Sequence, residues 1–137
     1  MEKEVCLVTG ASSGLGKSLA ELLCEKGYKV YVVARRKNLL EELKKECGKF
    51  EGEIEIISGD LIDLKFREKI ISTIIEKEKR IDYLFNNAGF GKAILLENQD
   101  SKVIKDMLEV NVNSYVHLAS MALKYMKKEN KGRIINT

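Results

Sequence analysis

Thr9-Gly10-Ala11-Ser12-Ser13-Gly14-Leu15-Gly16 has the residue types and spacing to seat a phosphate. It follows the apolar run Val5-Cys6-Leu7-Val8 and opens an amphipathic run from Lys17 to Lys26, so a short strand turns through three glycines into a helix. Gly10 suits the tight turn, Gly14 lets a ligand approach the backbone, and Gly16 lets helix and strand pack closely. The first N–H groups of such a helix have no intrahelical partner, and the helix dipole points at them. Together they favour a phosphate or pyrophosphate. Gly10, Ser12, Ser13, Gly14, Leu15 and Gly16 are therefore candidate phosphate-binding residues. The rival pattern is the nucleoside-triphosphate loop, Gly-x-x-x-x-Gly-Lys-Ser/Thr. Gly16-Lys17-Ser18 fits its end, but Ala11 stands where its first glycine is required.

About 20 residues after a glycine turn of this kind, a dinucleotide fold places the group that meets the adenosine ribose. Here that place reads Val33-Ala34-Arg35-Arg36-Lys37, with no acid. An acid would repel a ribose 2′-phosphate, whereas an arginine attracts it and can bind it bidentately. The pair therefore favours NADP over NAD, with Arg35, which directly follows Ala34, the first candidate and Arg36 the second. A solvated basic start to the next helix is the plainer use of the same residues.

Two further strand ends carry polar chemistry. Gly59-Asp60-Leu61 follows an apolar stretch, and Asp60, with Leu61 beside it, could meet an adenine ring. Asp60 could equally cap the next helix, a role for which Asp63 is as good. Asn86-Asn87-Ala88-Gly89-Phe90-Gly91 follows another apolar stretch. Its small residues, Ala88 and Gly89, let a cofactor lie close to the backbone, and its amides, Asn87 included, can tie neighbouring strands together.

The elements that must position these groups alternate. Short, continuously apolar strands are expected at about 4–9, 29–34, 53–58, 81–86 and 132–137, with amphipathic helices at about 15–26, 37–47, 63–79 and 101–128. Continuous apolarity over few residues marks strands buried on both faces, as in a parallel sheet. Gly27 and Gly48 are placed to end the first two helices. The order predicts a single α/β domain over 1–137, a doubly wound parallel sheet of Rossmann type with five strands and right-handed crossovers.

Bulk properties agree with a globular domain. The chain has 137 residues, 45% apolar and 33% charged, enough to bury a real core. No apolar run approaches the ~20 residues of a membrane span, and no signal peptide is visible at Met-Glu-Lys-Glu, so a cytoplasmic protein without membrane partners is expected. The net charge of +3 is too small to imply nucleic acid. Cys6, Cys24 and Cys47 have no metal-ligand spacing and read as reduced packing residues. No metal is expected.

Taken together, Thr9-Gly-x-x-x-Gly-x-Gly16, Asp60 and Asn86-Asn87-Ala88-Gly89, in this order and spacing, resemble the short-chain dehydrogenase/reductase family over the whole chain. The tetrapeptide is the more specific part. The resemblance implies an NADP-dependent oxidoreductase passing hydride between a nicotinamide and a carbonyl or alcohol carbon of a small molecule. It also implies an asparagine of the catalytic tetrad on the helix after the fourth strand. Val110-Asn111-Val112-Asn113 matches that segment, and Asn111 is the match. In the family this asparagine kinks the helix and holds a water of the proton relay. Among Leu108, Val110, Val112 and Val116, Asn111 is expected to be buried and in need of a partner. His117, the single histidine, matches no family motif and is expected on a helix face.

The family's serine and Tyr-x-x-x-Lys lie beyond its fifth strand, which Gly132–Thr137 resembles. None of the five tyrosines here has lysine four residues on. The resemblance thus implies the amino-terminal, cofactor-binding part of such an enzyme, truncated before the later strands and helices and inactive alone. A non-catalytic nucleotide-binding module is the alternative, and a nucleotide hydrolase the third reading. The helix at 101–128 is apolar around most of its girth, which suggests a second covered face; in the family this helix builds a homo-oligomer. An open last strand predicts marginal stability or self-association.

Overall fold

Strands β1 (Val5–Thr9), β2 (Lys29–Ala34) and β3 (Glu53–Ser58) form because each is a short β-branched or aromatic run bounded by polar residues or glycine. β4 (Tyr83–Asn86) and β5 (Arg133–Asn136) complete the set. The computed structural model describes residues 2–137. Its sheet has five strands in the order β3-β2-β1-β4-β5, every neighbouring pair parallel. The order reverses direction between β1 and β4, and the crevice at such a point is where α/β sheets bind ligands.

Alternation along the strands explains their continuous apolarity. Val5 and Leu7 of β1, with Tyr31 and Val33 of β2, face one layer, against α3 (Leu64–Glu78) and α5 (Ser114–Lys128). Cys6 and Val8, with Val30 and Val32, face the other, against α1 (Gly14–Glu25) and α2 (Lys37–Glu46). Ile70 and Ile74 of α3 and Leu118 of α5 are fully buried. Each such side chain contributes roughly 1.5–3 kcal/mol by leaving water. The cysteines, distant in sequence, are all buried and free. The Cys24 thiol reaches the Cys47 carbonyl at 3.9 Å, where the end of α1 meets the end of α2. Burial pushes the Cys47 thiol up to about 12.

Three expectations are corrected. The helix expected over 101–128 is not one α-helix: α4 (Ser101–Leu108) passes through a π turn, Glu109–Asn113, into α5. Gly48 does not end α2 in a left-handed conformation. The chain tightens into a 3₁₀ turn, Cys47–Lys49, and the Phe50 N–H closes it on the Cys47 carbonyl. Asn111 is exposed rather than buried, because the π turn rotates it off the packed face that holds Val110 and Ser114. By contrast, Gly27 has φ +88° and does end α1 in the left-handed region. Asp63 caps α3, accepting the Lys65 N–H at 2.9 Å.

The end of the sheet away from the crevice is fastened by charge. The buried Asp82 carboxylate accepts the Val5 N–H at 2.8 Å and an Arg80 N–H at 2.5 Å. The half-buried Lys29 ammonium sits 2.9 Å from Glu78, which also accepts the Tyr31 hydroxyl at 2.6 Å. No helix among the described residues is long and apolar enough to cross a membrane.

Candidate functional site

The carboxyl ends of β1, β2, β3 and β4 converge on one edge of the sheet, and each contributes part of the site. At β1, Gly10 takes φ +64°, which only glycine adopts without strain. A Cβ there would sit 2.8 Å from the Ala88 Cα, so the turn packs directly on the chain leaving β4. A Cβ on Gly16 would sit 2.2 Å from the Gly10 carbonyl oxygen and 2.5 Å from Asn87 Nδ2. Close packing of helix on turn is thus the reason for that glycine. Gly14 differs: at φ +55° its Cβ position meets nothing within 4 Å, so this glycine leaves open space over the first turn of α1.

Ser13 is the N-cap of α1 in extended conformation, but its hydroxyl accepts no helix N–H. The first-turn N–H groups are therefore without a side-chain cap and are oriented as an anion site requires. Ser12 is half-buried, and Leu15 is exposed beside it.

At β2, the Ala11 N–H donates to the Val33 carbonyl at 3.2 Å and holds the glycine turn against the strand end. Arg35 and Arg36 emerge there, both exposed. Arg36 reaches back to the glycine turn, its Nη2 donating to Ser12 Oγ at 3.2 Å, so the basic end of β2 and the glycine turn share one site. Lys17, by contrast, turns away: its ammonium lies 3.4 Å from Glu46 and 3.8 Å from Glu21. That removes the lysine a nucleoside-triphosphate loop would aim at phosphate.

At β3, Gly59 donates its N–H to the Ala34 carbonyl at 3.1 Å, and a Cβ on it would strike the Phe66 ring. Asp60 is half-buried and accepts the Ile62 N–H at 3.0 Å, so it closes the turn before α3 while Asp63 does the capping. Leu61 turns its side chain into the core, 6% exposed, and so cannot offer it to a ligand at the strand end.

At β4, the amides act as ties. Asn87 Nδ2 donates to the carbonyls of Thr9 at 3.2 Å and Gly10 at 3.4 Å, and its Oδ1 accepts the Thr137 hydroxyl at 3.1 Å. Ala88 is buried, its N–H donating to Thr9 Oγ1 at 3.0 Å and its carbonyl accepting the Tyr115 hydroxyl at 2.7 Å. Gly89 is exposed, and a Cβ on it would lie 3.2 Å from Asn111 Oδ1. Asn111 Nδ2 donates to the Phe90 carbonyl at 2.9 Å, and the Phe90 N–H donates to Oδ1 at 3.0 Å.

Sequence reasoning missed four contributors. Thr9, the first residue of the glycine motif, does more than lead into the turn, since its Oγ1 accepts both the Asn87 and Ala88 N–H groups at 3.0 Å. Asn86 is fully buried and donates to the Tyr115 carbonyl and to Asn136 Oδ1, so β4, β5 and α5 meet on one amide. Tyr115, four residues after Asn111, ties the helix to β4 through its hydroxyl on the Ala88 carbonyl. Ser114 donates to the Val110 carbonyl at 2.6 Å within the π turn. A signal existed for Tyr115, since i and i+4 share a helix face. For the π turn the signal was the family resemblance, which implies a kink at Asn111, while the helical period itself carried none.

A model of the short-chain dehydrogenase family matches residues 4–137. The 3-oxoacyl-acyl-carrier-protein reductase FabG of Thermotoga maritima is 30% identical over 136 residues, 99% of this chain and 55% of that protein. A metagenomic short-chain oxidoreductase solved with NADP superposes with TM-score 0.93 at 28% identity, covering 97% of this chain and 60% of that one. L-Sorbose reductase of Gluconobacter frateurii, solved with NADPH and L-sorbose, superposes with TM-score 0.92 at 25% identity, covering 99% and 52%. This chain spans about half the length of the relatives it matches. With a doubly wound parallel sheet, the glycine turn at β1 and the Asn-Asn-Ala-Gly end of β4, it belongs to the short-chain dehydrogenase family.

Proposed function

We infer that this chain is the cofactor-binding part of an NADP-dependent oxidoreductase acting on a small carbonyl or alcohol substrate. The observation that carries the reading is the basic end of β2 set against the glycine turn, with Arg36 already 3.2 Å from Ser12. The residues present fit the cofactor. The uncapped first turn of α1, with Ser12, Ser13, Leu15 and the open space at Gly14, would take the pyrophosphate. Arg35, exposed and without a side-chain partner among the described residues, would take the 2′-phosphate with Arg36 beside it. Asp60 and the Leu61 backbone would meet the adenine. Gly89, beside the closed Asn87–Ala88 backbone, would let the nicotinamide end lie close. When bound, the nicotinamide supplies or accepts hydride at the substrate carbon.

Within this chain Asn111 is the one residue assigned to the reacting end. Its carboxamide is committed to Phe90, so its part is to hold the Gly89–Phe90 turn and to shape the proton path beside it. The serine and the Tyr-x-x-x-Lys pair of the family are not among these 137 residues. The 137 residues alone are therefore expected to bind NADPH without reducing a carbonyl. NADP-bound relatives support the choice of cofactor.

Leu108, Val112, Val116 and Leu123 are 54%, 48%, 66% and 46% exposed, spaced from the end of α4 through the π turn into α5. Such exposed apolar residues support a homo-oligomer formed through them, with concentration-dependent sedimentation as the check.

The deciding experiment is Arg35→Asp with NADPH and NADH titrated separately. A charge-assisted bond is worth roughly 1.5–3 kcal/mol, so NADPH affinity should fall about ten- to a hundredfold while NADH changes little. Equal losses for both cofactors would remove Arg35 from the 2′-phosphate.

A further inference from the structure

Arg67 is the charged residue that the fold least explains. It lies on the buried stripe of α3 with Ile70, Ile71 and Ile74, and it is 3% exposed. Its Nη2 sits 3.3 Å from Glu109 Oε2, while Nε and Nη1 find no acceptor among the described residues. A buried guanidinium with one carboxylate and two of its three nitrogens unmet is poorly satisfied. Well-packed apolar side chains at both positions often leave such a site equally stable or more so. Stability therefore does not account for the pair, but its location does.

Glu109 is the first residue of the π turn and Asn113 the last. The Glu109 carboxylate spans that turn, holding Arg67 with one oxygen and accepting Asn113 Nδ2 with the other at 2.8 Å. The Ser114 N–H closes the turn on the Glu109 carbonyl, five residues back. Asn111 lies in the middle, and its only described partners are the N–H and carbonyl of Phe90. The turn is thus tied at one side to α3 through Arg67 and at the other to the end of β4 through Asn111.

We propose that Arg67 is a positioning residue: through Glu109 it anchors the π turn and thereby aims the Asn111 carboxamide at Phe90. Any consequence for catalysis rests on the reductase reading above, whereas the positioning itself does not.

The test is amide hydrogen exchange on the ¹⁵N-labelled chain without cofactor, comparing wild type, Arg67→Met and the double variant Arg67→Met with Glu109→Gln. The Phe90 N–H reports on the Asn111 bond, and the Leu118 and Ala122 N–H groups report on α5 as a whole. The double variant leaves no charge buried alone, so it decides the matter if the single variant does not fold. The expected result is exchange at Phe90 accelerated at least fivefold beyond any change at Leu118 and Ala122. A smaller excess, or equal acceleration at all three, would overturn the inference and make Arg67 an ordinary packing residue. So would failure of both variants to fold. NADPH titration of the wild-type chain is separate: its failure would count against the reductase reading and leave the amide result to decide the role of Arg67.

Discussion

Asn111 clasps the backbone of Phe90 with both ends of its carboxamide, donating to the carbonyl at 2.9 Å and accepting the N–H at 3.0 Å. The two residues are 21 apart in sequence, and the contact joins the π turn to the loop leaving β4. Only a primary amide can do both jobs, because it carries a donor and an acceptor side by side. Asn111→Asp keeps the acceptor but sets a carboxylate oxygen against the Phe90 carbonyl. It should destabilise this loop by about 1–2 kcal/mol, more than Asn111→Ala, since each exposed bond is worth about 0.5–1.5 kcal/mol net. Amide exchange at Phe90 and Gly91 is the measurement; a milder effect for aspartate than for alanine would contradict the two-ended clasp.

The glycines of the β1 turn separate into a packing glycine and an open one. Gly16→Ala places a methyl 2.2 Å from the Gly10 carbonyl and 2.5 Å from Asn87 Nδ2, and backbone must move. We expect a loss of about 3 kcal/mol or more, at the upper end of single-residue effects. Gly14→Ala meets no atom and is opposed only by its φ of +55°, a cost of about 1–2 kcal/mol. Thermal melts of the two variants should rank accordingly. If Gly14→Ala is the more damaging, the packing argument fails.

Thr9 holds the β1 and β4 ends together through one oxygen. Replacing it by valine keeps the shape but leaves the Asn87 and Ala88 N–H groups without their acceptor in a part-buried setting. Each unmet group costs about 1–3 kcal/mol, so Thr9→Val should cost about 2–6 kcal/mol. Thr9→Ser, which keeps the hydroxyl, should recover most of it. Urea denaturation of the three proteins reads this directly, and a valine variant as stable as the serine one would dismiss the tie.

At the far end of the sheet, Glu78 is pulled two ways. Burial pushes its carboxyl up, but the Tyr31 hydroxyl and the Lys29 ammonium outweigh that and hold it below the ordinary glutamate value. Glu53 is likewise held low, chiefly by its bond to Lys3. A carboxyl lowered in the folded state contributes stability at pH above its unfolded value of about 4.3, and that contribution disappears as pH falls through the folded value. Stability should therefore drop on acidification below about pH 4.5, and Glu78→Gln should flatten that part of the profile while lowering stability at pH 7. Denaturation midpoints across pH 3–7 test it; an unchanged slope in the glutamine variant would exclude Glu78 as a source of acid sensitivity.

Much of the site was legible because its signals are local. A strand, three glycines and a helix start imply the turn at Gly10, and two arginines one position past a strand imply a basic rim. The π turn, the exposure of Asn111 and the tie from Arg67 to Glu109 carried no such signal. A helical periodicity cannot register one extra residue until the neighbouring helix and loop choose the phase on each side. Arg67 stood on the apolar stripe of α3 in plain view, but its partner is 42 residues away.

By itself the sequence determined the order of strands and helices, the parallel sheet and the glycine and arginine positions at its edge. These follow from backbone sterics, side-chain period and charge within short windows. The tertiary structure decided which polar groups are spent on ties and which remain for a ligand. Asn87, Ala88 and Thr9 are used up joining strands, while Gly14, Ser13 and Arg35 are left open. The physical reason is hydrogen-bond satisfaction: a buried donor or acceptor takes whatever partner the packed sheet brings to it, and that partner lies far away along the chain.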